Sequence, residues 1–348
     1  MKKIYLLFLI FLLSYFSIQA QTIDVVTGIS TPSRLLINGN DLYFSTTSEV
    51  FKIDITQTSP TPTSVVSGLN AATGMAMAGN TLYIAEFNAG RISKIDISDP
   101  TPSLETVISG LNTPNGLYLS GNTMYYSDNN SNIVEKFDVT DLNPTTTLVA
   151  TSAVNFSPSG LALHESILYM AQSQSNRVSK VDVDSGVTQP TDVVVGVNRP
   201  LGIRLNGNNL IIAEYIGNKI SMKDLTNSAN TAIDLVTGVN QPTDIEISGS
   251  TLFILEKGAN KISKVENILG LDTRYQRNHF KLYPNPAHNF IQIANLQTPT
   301  FYEIYTIVGA KVTTGTIDPN ERVNIERLAA GVYILKMKNG HVVKFVKE

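Results

Sequence analysis

A unit of about 42 residues recurs six times between residues 22 and 267. Its most regular mark is a turn position, which is Gly in five copies and Glu in one, with spacings of 40, 42, 44, 42 and 42 residues. Self-similarity at this period is typical of repeat architectures, in which each unit packs against the next. The turn positions are Gly39, Gly79, Gly121, Glu165, Gly207 and Gly249.

Each unit contains four short strand-like segments. The first alternates and is clearest at Gly116–Leu119, and the second is apolar throughout at Leu82–Ala85. A third follows at Arg91–Asp96 and a β-branched fourth at Thr106–Gly110. Gly-Asn between the first two is typical of a tight hairpin, because both residues tolerate positive φ. Four strands per unit predict an all-β, six-bladed β-propeller with four-stranded blades.

The two ends of the repeat region are complementary. The last copy stops after its third strand, at Lys261–Glu266, while an extra strand-like segment stands at the start, at Thr22–Gly28. That segment resembles Ala232–Gly238, the fourth strand of an earlier copy. We therefore expect the N-terminal strand to complete the sixth blade, which removes two sheet edges. The predicted propeller domain spans residues 21–267.

Three motifs resemble a known superfamily. They are Pro-x-Gly followed by Leu or Ile, Leu-Tyr-x-Ala followed by an acid, and Arg-Ile-x-Lys-Ile-Asp. Together they look like NHL-type and related six-bladed propellers, which include gluconolactonase-like hydrolases and streptogramin lyases. The resemblance implies the fold and leaves the activity open.

The first twenty residues have the pattern of a secretory signal peptide. Lys2 and Lys3 precede the apolar run Ile4–Phe16, and the small residue Ala20 closes the segment. A membrane-spanning helix would need about 20 apolar residues. We therefore predict export, with residues 1–20 removed and no membrane span in the mature chain.

A different composition begins at residue 268. Residues 268–280 fit no blade and are interpreted as a linker, while short strand-like segments with Gly turns across 281–348 predict a small antiparallel β-sandwich. This segment resembles the type A sorting domain of the type IX secretion system. The resemblance implies recognition by the outer-membrane machinery and a secreted or cell-surface location; the alternative is an adhesive sandwich. The residues that carry the match are Tyr283, Pro284, Asn285, Pro286, Gly331 and Lys344.

Charge and composition exclude several classes of function. Residues 22–267 carry 14 basic and 23 acidic side chains, a net charge of −9, which repels phosphate backbones and disfavours nucleic acid as a partner. The chain has no cysteine, so disulfide scaffolds and cysteine nucleophiles are excluded. The only histidine of the blades, His164, precedes a turn on the face opposite the predicted site, so no His-based catalytic set is evident.

The predicted site is the face where the turns between strands four and one, and between strands two and three, emerge together. A ring of carboxylates there could hold a hard cation such as Ca²⁺, an ion that the gluconolactonase resemblance also implies. The alternative is structural. Pairs across the hairpin between strands two and three would then be Glu86 with Arg91, Glu214 with Lys219 and Glu256 with Lys261, together with a Gln172–Arg177 hydrogen bond. The ring positions are Thr46, Glu86, Asp128, Gln172, Glu214 and Glu256.

Asp128 differs from the other acids of the ring. Its partner position is Ile133, so we expect its charge to be free for a ligand, with Asn115 as a second metal ligand. Arg34 and Asp244 stand where other copies carry Gly in the Pro-x-Gly turn, which predicts a polar rim around the channel mouth.

Three aromatic residues complete the predicted face. They are Phe87, Phe156 and Tyr215, which either stack on a sugar ring or pack on neighbouring loops. The preferred hypothesis is a secreted or surface binding module for a glycan, peptide or protein. The alternatives are a calcium-dependent gluconolactonase-like hydrolase and a structural surface protein. The ligand-binding candidates are Arg34, Glu86, Phe87, Asn115, Asp128, Phe156, Glu214, Tyr215, Asp244 and Glu256.

Overall fold

A computed structural model describes residues 22–152, 156–268, 282–293, 299–307, 310–319, 321–337 and 342–348, with 31 strands. The predicted signal peptide and residues 269–280 of the predicted linker lie outside these ranges. The chain divides into two compact units between Val265 and Glu266. Within the described ranges, no helix has the length and apolar character needed to cross a membrane.

The first unit consists of six four-stranded antiparallel sheets, numbered here as blades in chain order. Blade 1 contains β2 (Leu35–Asn38), β3 (Asp41–Ser45), β4 (Glu49–Asp54) and β5 (Thr63–Ser67). Blade 2 contains β6 (Ala72–Ala78), β7 (Thr81–Glu86), β8 (Arg91–Asp96) and β9 (Glu105–Ser109). Blade 3 contains β10 (Pro114–Ser120), β11 (Thr123–Asp128), β12 (Ile133–Asp138) and β13 (Thr147–Thr151).

The remaining blades repeat the same order. Blade 4 contains β14 (Pro158–His164), β15 (Ile167–Gln172), β16 (Arg177–Asp182) and β17 (Thr191–Val195). Blade 5 contains β18 (Pro200–Asn206), β19 (Asn209–Glu214), β20 (Lys219–Asp224) and β21 (Ile233–Thr237). Blade 6 contains β22 (Pro242–Ser248), β23 (Thr251–Glu256), β24 (Lys261–Val265) and, from the other end of the unit, β1 (Ile23–Thr27).

The N-terminal strand closes the ring, as predicted. β1 pairs antiparallel with β24, with Ile23 opposite Lys264 and Thr27 opposite Lys261. An ion pair of 2.6 Å between Lys261 Nζ and Asp24 Oδ1 joins the same two strands. The predicted β-propeller architecture is therefore confirmed, and its last blade is built from both ends of the repeat region.

The recurring turn position adopts a left-handed backbone in every blade. Its φ lies between +54° and +60°, a region that glycine enters without steric cost. Glu165 occupies the position in blade 4 with φ of +54°. The turn geometry therefore selects the residue type, and Glu165 is a strained exception.

The apolar core lies between neighbouring sheets. In blades 2 to 6 the second strand has five consecutive buried residues, so both of its faces are covered. Between blades 1 and 2, for example, Val50 and Tyr43 pack in one cluster with Leu82 and Ile84. Residues on both faces of the second strand therefore contribute buried side chains that stabilise the ring.

The second unit contains two antiparallel sheets that share one core. One sheet has the order β25–β26–β29 and the other β28–β27–β30–β31. Ile291 of the first sheet and Ile304, Leu335 and Phe345 of the second are buried in the same cluster, which confirms the predicted sandwich. The strands are β25 (Leu282–Tyr283), β26 (Phe290–Ile293), β27 (Thr300–Thr306), β28 (Lys311–Ile317), β29 (Arg322–Asn324), β30 (Gly331–Met337) and β31 (Val342–Lys347).

Candidate functional site

One end of the blades brings together the loops that enter strand one and the ends of strand two. We call this end the channel-mouth face. Glu86, at the end of β7, is fully buried there and accepts hydrogen bonds from Asn70 N at 3.0 Å, Arg91 Nε at 2.6 Å and Ser93 Oγ at 2.6 Å. Burial disfavours its charge, but these hydrogen bonds outweigh burial and lower the pKa of Glu86.

The same carboxylate anchor recurs in blades 5 and 6. Glu214 accepts from Asn198 N at 2.7 Å, and Glu256 accepts from Asn240 N at 2.8 Å. In blades 2, 5 and 6 the donor lies sixteen residues before the acid. Lys219 and Lys261 lie 3.6 Å from their acids, so the predicted hairpin pairs are confirmed together with Glu86–Arg91.

The expectation that Asp128 has a free charge is wrong. Its Oδ2 accepts from Asn112 N at 2.8 Å, and its Oδ1 accepts from Thr113 N at 3.1 Å and Ser131 N at 3.2 Å. Ile133 offers no cation, but the backbone N–H groups of the two adjoining turns take its place. Asp128 is therefore a loop anchor like the other acids.

The ring positions of blades 1 and 4 are neutral and behave differently. Thr46 Oγ1 donates to the Glu49 carbonyl at 3.1 Å. Gln172 does not bond Arg177 as predicted: its amide donates to Ser179 Oγ, and the guanidinium of Arg177 pairs instead with an Asp192 oxygen at 2.9 Å. Arg177 thus pairs with the outer strand of its blade, as Lys219 and Lys261 do with Asp234 and Asp24.

Arg34 lies at the centre of the ring and is only 6% exposed. Its Nη1 donates to the Thr243 carbonyl at 2.8 Å, and its Nη2 donates to Asn115 Oδ1 at 2.6 Å and Ser159 Oγ at 2.7 Å. The side chain thus joins blade 1 to blades 3, 4 and 6. Burial lowers the pKa of Arg34 despite the nearby charge of Asp244.

A second polar cluster adjoins Arg34 and includes two residues that the sequence analysis missed. Asp244 Oδ2 accepts from Leu35 N at 3.0 Å and lies 3.4 Å from Arg204 Nη2, while Arg204 Nη2 also bonds Glu246 Oε1 at 2.6 Å. Burial raises the pKa of Glu246. Arg204 and Glu246 are 42 residues apart, so opposite charges at one repeat position were the available signal.

The residues predicted to hold a metal do not fit a Ca²⁺ ion. Asn115 Oδ1 is taken by Arg34, and both oxygens of Asp128 are taken by backbone N–H groups. Across the described ranges, no group of three or more His, Asp or Glu is arranged to hold a metal. Three oxygens at the centre of this ring accept hydrogen bonds from the guanidinium of Arg34, in a place where a metal ion would need them as ligands.

The three predicted aromatic residues differ in how deeply their side chains are buried. Phe156 is fully buried in a cluster with Leu161 and Met170, so it packs on its loop rather than facing solvent. Phe87 and Tyr215 are half-buried. The hydroxyl of Tyr215 bonds Gln241 Oε1 at 3.2 Å, and its ring lies 5.1 Å from the guanidinium carbon of Arg199.

Two concavities open beside the channel-mouth face. One has a volume of about 270 Å³ and a polar lining that includes Gln172, Arg177 and Asp192. The other has about 350 Å³ and a mixed lining that includes Ile29 and Phe51. Both are large enough for a side chain or a small ligand.

The predicted sorting residues lie mainly at one end of the sandwich. Asn285 Oδ1 accepts from Val346 N at 2.9 Å, which fastens the Tyr-Pro-Asn-Pro motif to the last strand. Tyr283 is 46% exposed, and Pro284 and Pro286 flank Asn285. Gly331 and Lys344 are exposed on β30 and β31.

Comparison with known proteins agrees with this division. A family model for a secretion system C-terminal sorting domain matches residues 281–348. The chain therefore carries a sorting domain of that family, which implies export through the type IX secretion system to the cell surface or the medium. A comparison with curated protein sequences finds no match.

Solved structures similar to this chain include enzymes and a protein complex. A putative gluconolactonase is 13% identical with a TM-score of 0.57, over 71% of this chain and 92% of that one. A catalytically inactive histidine-to-alanine variant of virginiamycin B lyase from Staphylococcus aureus, solved with quinupristin, is 16% identical with a TM-score of 0.52. That match covers 94% of this chain and 98% of the lyase.

A chain of the nidogen/laminin complex is 18% identical with a TM-score of 0.51, over 59% of this chain and 80% of that one. At these identities the similarity shows the fold alone. The chain therefore has the β-propeller fold that these structures share, joined to a secretion system C-terminal sorting domain.

Proposed function

We propose that the propeller is an exported ligand-binding module whose recognition surface is the channel-mouth face, and that it works without a metal. The ligand is a glycan, a peptide or a partner protein. One observation carries this proposal: Arg34 at the ring centre bonds oxygens of three other blades, including the amide oxygen of the predicted metal ligand Asn115. The centre is thus occupied by an internal cation.

The carboxylates of the face support the same conclusion. Glu86, Asp128, Glu214 and Glu256 each accept backbone N–H groups, so their hydrogen-bonding capacity serves the loops. Groups held in this way stabilise a rigid rim, and rigid rims with variable loops are suited to recognition. The half-buried Phe87 and Tyr215 and the two concavities are the parts of this face that remain accessible to a ligand.

The enzyme alternatives have less support. A calcium-dependent hydrolase would need oxygen ligands that are instead bonded to Arg34 and to backbone N–H groups. A lyase inactivated by a histidine-to-alanine change depends on that histidine, whereas the only histidine of residues 22–267 is His164. His164 is exposed beside the β14–β15 turn, at the opposite end of the blade from Gln172.

Binding and turnover separate these functions directly. The chain of residues 21–348 would be tested on glycan and peptide arrays and, in parallel, on a panel of lactones with added Ca²⁺. We expect array binding that is lost in a Tyr215→Ala variant and kept in a His164→Ala variant, with no lactone turnover. Calcium-dependent turnover without array binding would contradict the proposal.

A further inference from the structure

Blade 1 breaks the pattern of the channel-mouth face at three linked positions. Where blade 2 has the buried acid Glu86, blade 1 has Thr46. Where blades 2, 4, 5 and 6 begin strand three with Arg or Lys, blade 1 begins it with Glu49. The third residue of that strand is Ser in the same four blades and Phe51 in blade 1.

These replacements remove the anchor of one loop. In the other anchored blades the acid accepts from the residue sixteen positions earlier, which in blade 1 would be Ser30. Thr46 is too short to do so and bonds the Glu49 carbonyl instead. The loop therefore stands beside a concavity of about 350 Å³ rather than over a carboxylate.

The lining of this concavity combines an apolar wall with one acid. Val26, Ile29, Phe44 and Phe51 form the wall, and the two phenyl rings stack with centroids 5.4 Å apart. Glu49, also in the lining, is half-buried, and its carboxylate accepts a hydrogen bond from Ser64 Oγ at 3.1 Å. Among the described residues, no Lys, Arg or His lies within ion-pair distance of Glu49.

We propose that this blade 1 concavity binds a primary ammonium group carried on an apolar body, with Glu49 as its counter-ion and Phe51 as its apolar platform. Aromatic faces and carboxylates both favour such a group. The source is either a small amine or a lysine side chain of a partner protein. The inference rests on the proposed function, because it places one ligand group on the same face.

Calorimetry with the chain of residues 21–348 tests this chemistry. The probes are phenethylammonium, its neutral analogue 2-phenylethanol and the anionic 3-phenylpropionate. We expect the ammonium to bind about tenfold more tightly than the neutral analogue, since one favourable charge contact has that size. A second pair of probes is acetyl-Gly-Lys-Gly-amide and its lysine-acetylated form. Binding of the unmodified peptide alone would indicate that the site accepts a lysine side chain, and binding of phenethylammonium without the peptide would indicate a small amine.

Variants assign the effect to the site. Glu49→Gln should weaken ammonium binding about tenfold and leave 2-phenylethanol unchanged, whereas Phe51→Ser should weaken both. Glu105→Gln, a change of an exposed acid on β9, is the matched control and should change neither. Thermal unfolding of each variant confirms that it is folded.

Equal affinity for the three phenyl probes, or a Glu49→Gln variant that binds like the parent, would overturn the inference. Array ligands that bind while the ammonium probes and the lysine peptide do not would overturn it and leave the proposed function standing. Lactone turnover with no binding of any probe would overturn both.

Discussion

Arg34 Nη2 donates a 2.6 Å hydrogen bond to Asn115 Oδ1 across the centre of the ring, and so connects blade 1 with blade 3. The same guanidinium reaches Ser159 of blade 4 and Thr243 of blade 6. Arg34 stands where other repeats carry the Gly of the Pro-x-Gly motif, and its side chain connects four blades by hydrogen bonds.

Arg34→Met should destabilise the propeller by about 3 kcal/mol, because three acceptors lose a charged donor in a buried place. Asn115→Ala removes one of the three bonds and should cost only about 1 kcal/mol. Denaturant unfolding of both variants measures the difference. An Arg34→Met variant as stable as the parent would mean that the contact is incidental.

Glu86 should make the free energy of unfolding fall as the solution becomes acidic. Its pKa is held below its ordinary value of 4.5, so the unfolded chain takes up a proton first as pH falls. The stabilisation from its hydrogen bonds is therefore complete above pH 4.5 and is lost as pH falls through the lower, folded-state pKa. Glu86→Gln should cost about 2 kcal/mol at neutral pH, and its deficit should shrink in acid.

Urea midpoints measured from neutral pH to pH 3 would follow this deficit. Glu105→Gln, a change of an exposed acid in the same blade, is the control and should run parallel to the parent. A Glu86→Gln deficit that stays constant across the range would show that the carboxylate's charge is not what anchors the loop.

Glu165→Gly should stabilise the protein by about 1 kcal/mol, because the residue has φ of +54° and glycine removes the steric cost of that backbone. Gly121→Ala changes the equivalent position of blade 3, φ +57°, and should cost a similar amount. A higher melting temperature for Glu165→Gly and a lower one for Gly121→Ala would support the conclusion that the left-handed backbone of this turn position favours glycine. A lower melting temperature for Glu165→Gly would refute it.

Asn285→Ala should loosen the C-terminal sandwich by about 1 kcal/mol, since it removes the bond from Val346 N to Asn285 Oδ1. A weaker fold of the sorting domain should lower the fraction of the protein that reaches the medium. His288→Ala is the control, because the His288 side chain is exposed and its Nε2 lies 3.4 Å from a carboxylate oxygen of Glu348. If the Asn285→Ala domain is measurably less stable but the variant is exported as well as the parent, the predicted link between domain stability and export is wrong.

The repeat made the fold predictable from sequence. Turn positions 40 to 44 residues apart required similar sheets, and the similarity of Thr22–Gly28 to Ala232–Gly238 indicated which strand completes the last one. The hairpin pair Glu86–Arg91 was predictable for the same reason, since strand register sets it.

The centre of the ring was not predictable in detail. The sequence placed Arg34 and Asp244 at the channel mouth, but a long flexible side chain can choose among the acceptors of several blades. Asp128 was misjudged because its donors are backbone N–H groups, which no pattern of side chains reveals. The site of blade 1 is visible only when Glu49 and Phe51 are compared with their equivalents in the other blades.

Titration of Ca²⁺ into the EDTA-treated chain of residues 21–348, followed by calorimetry, tests most directly whether internal groups alone fill the ring. We predict no binding heat at millimolar calcium, because Arg34 and backbone N–H groups already occupy the oxygens of Asn115 and Asp128. Stoichiometric calcium binding that disappears in an Asp128→Ala variant would contradict the account.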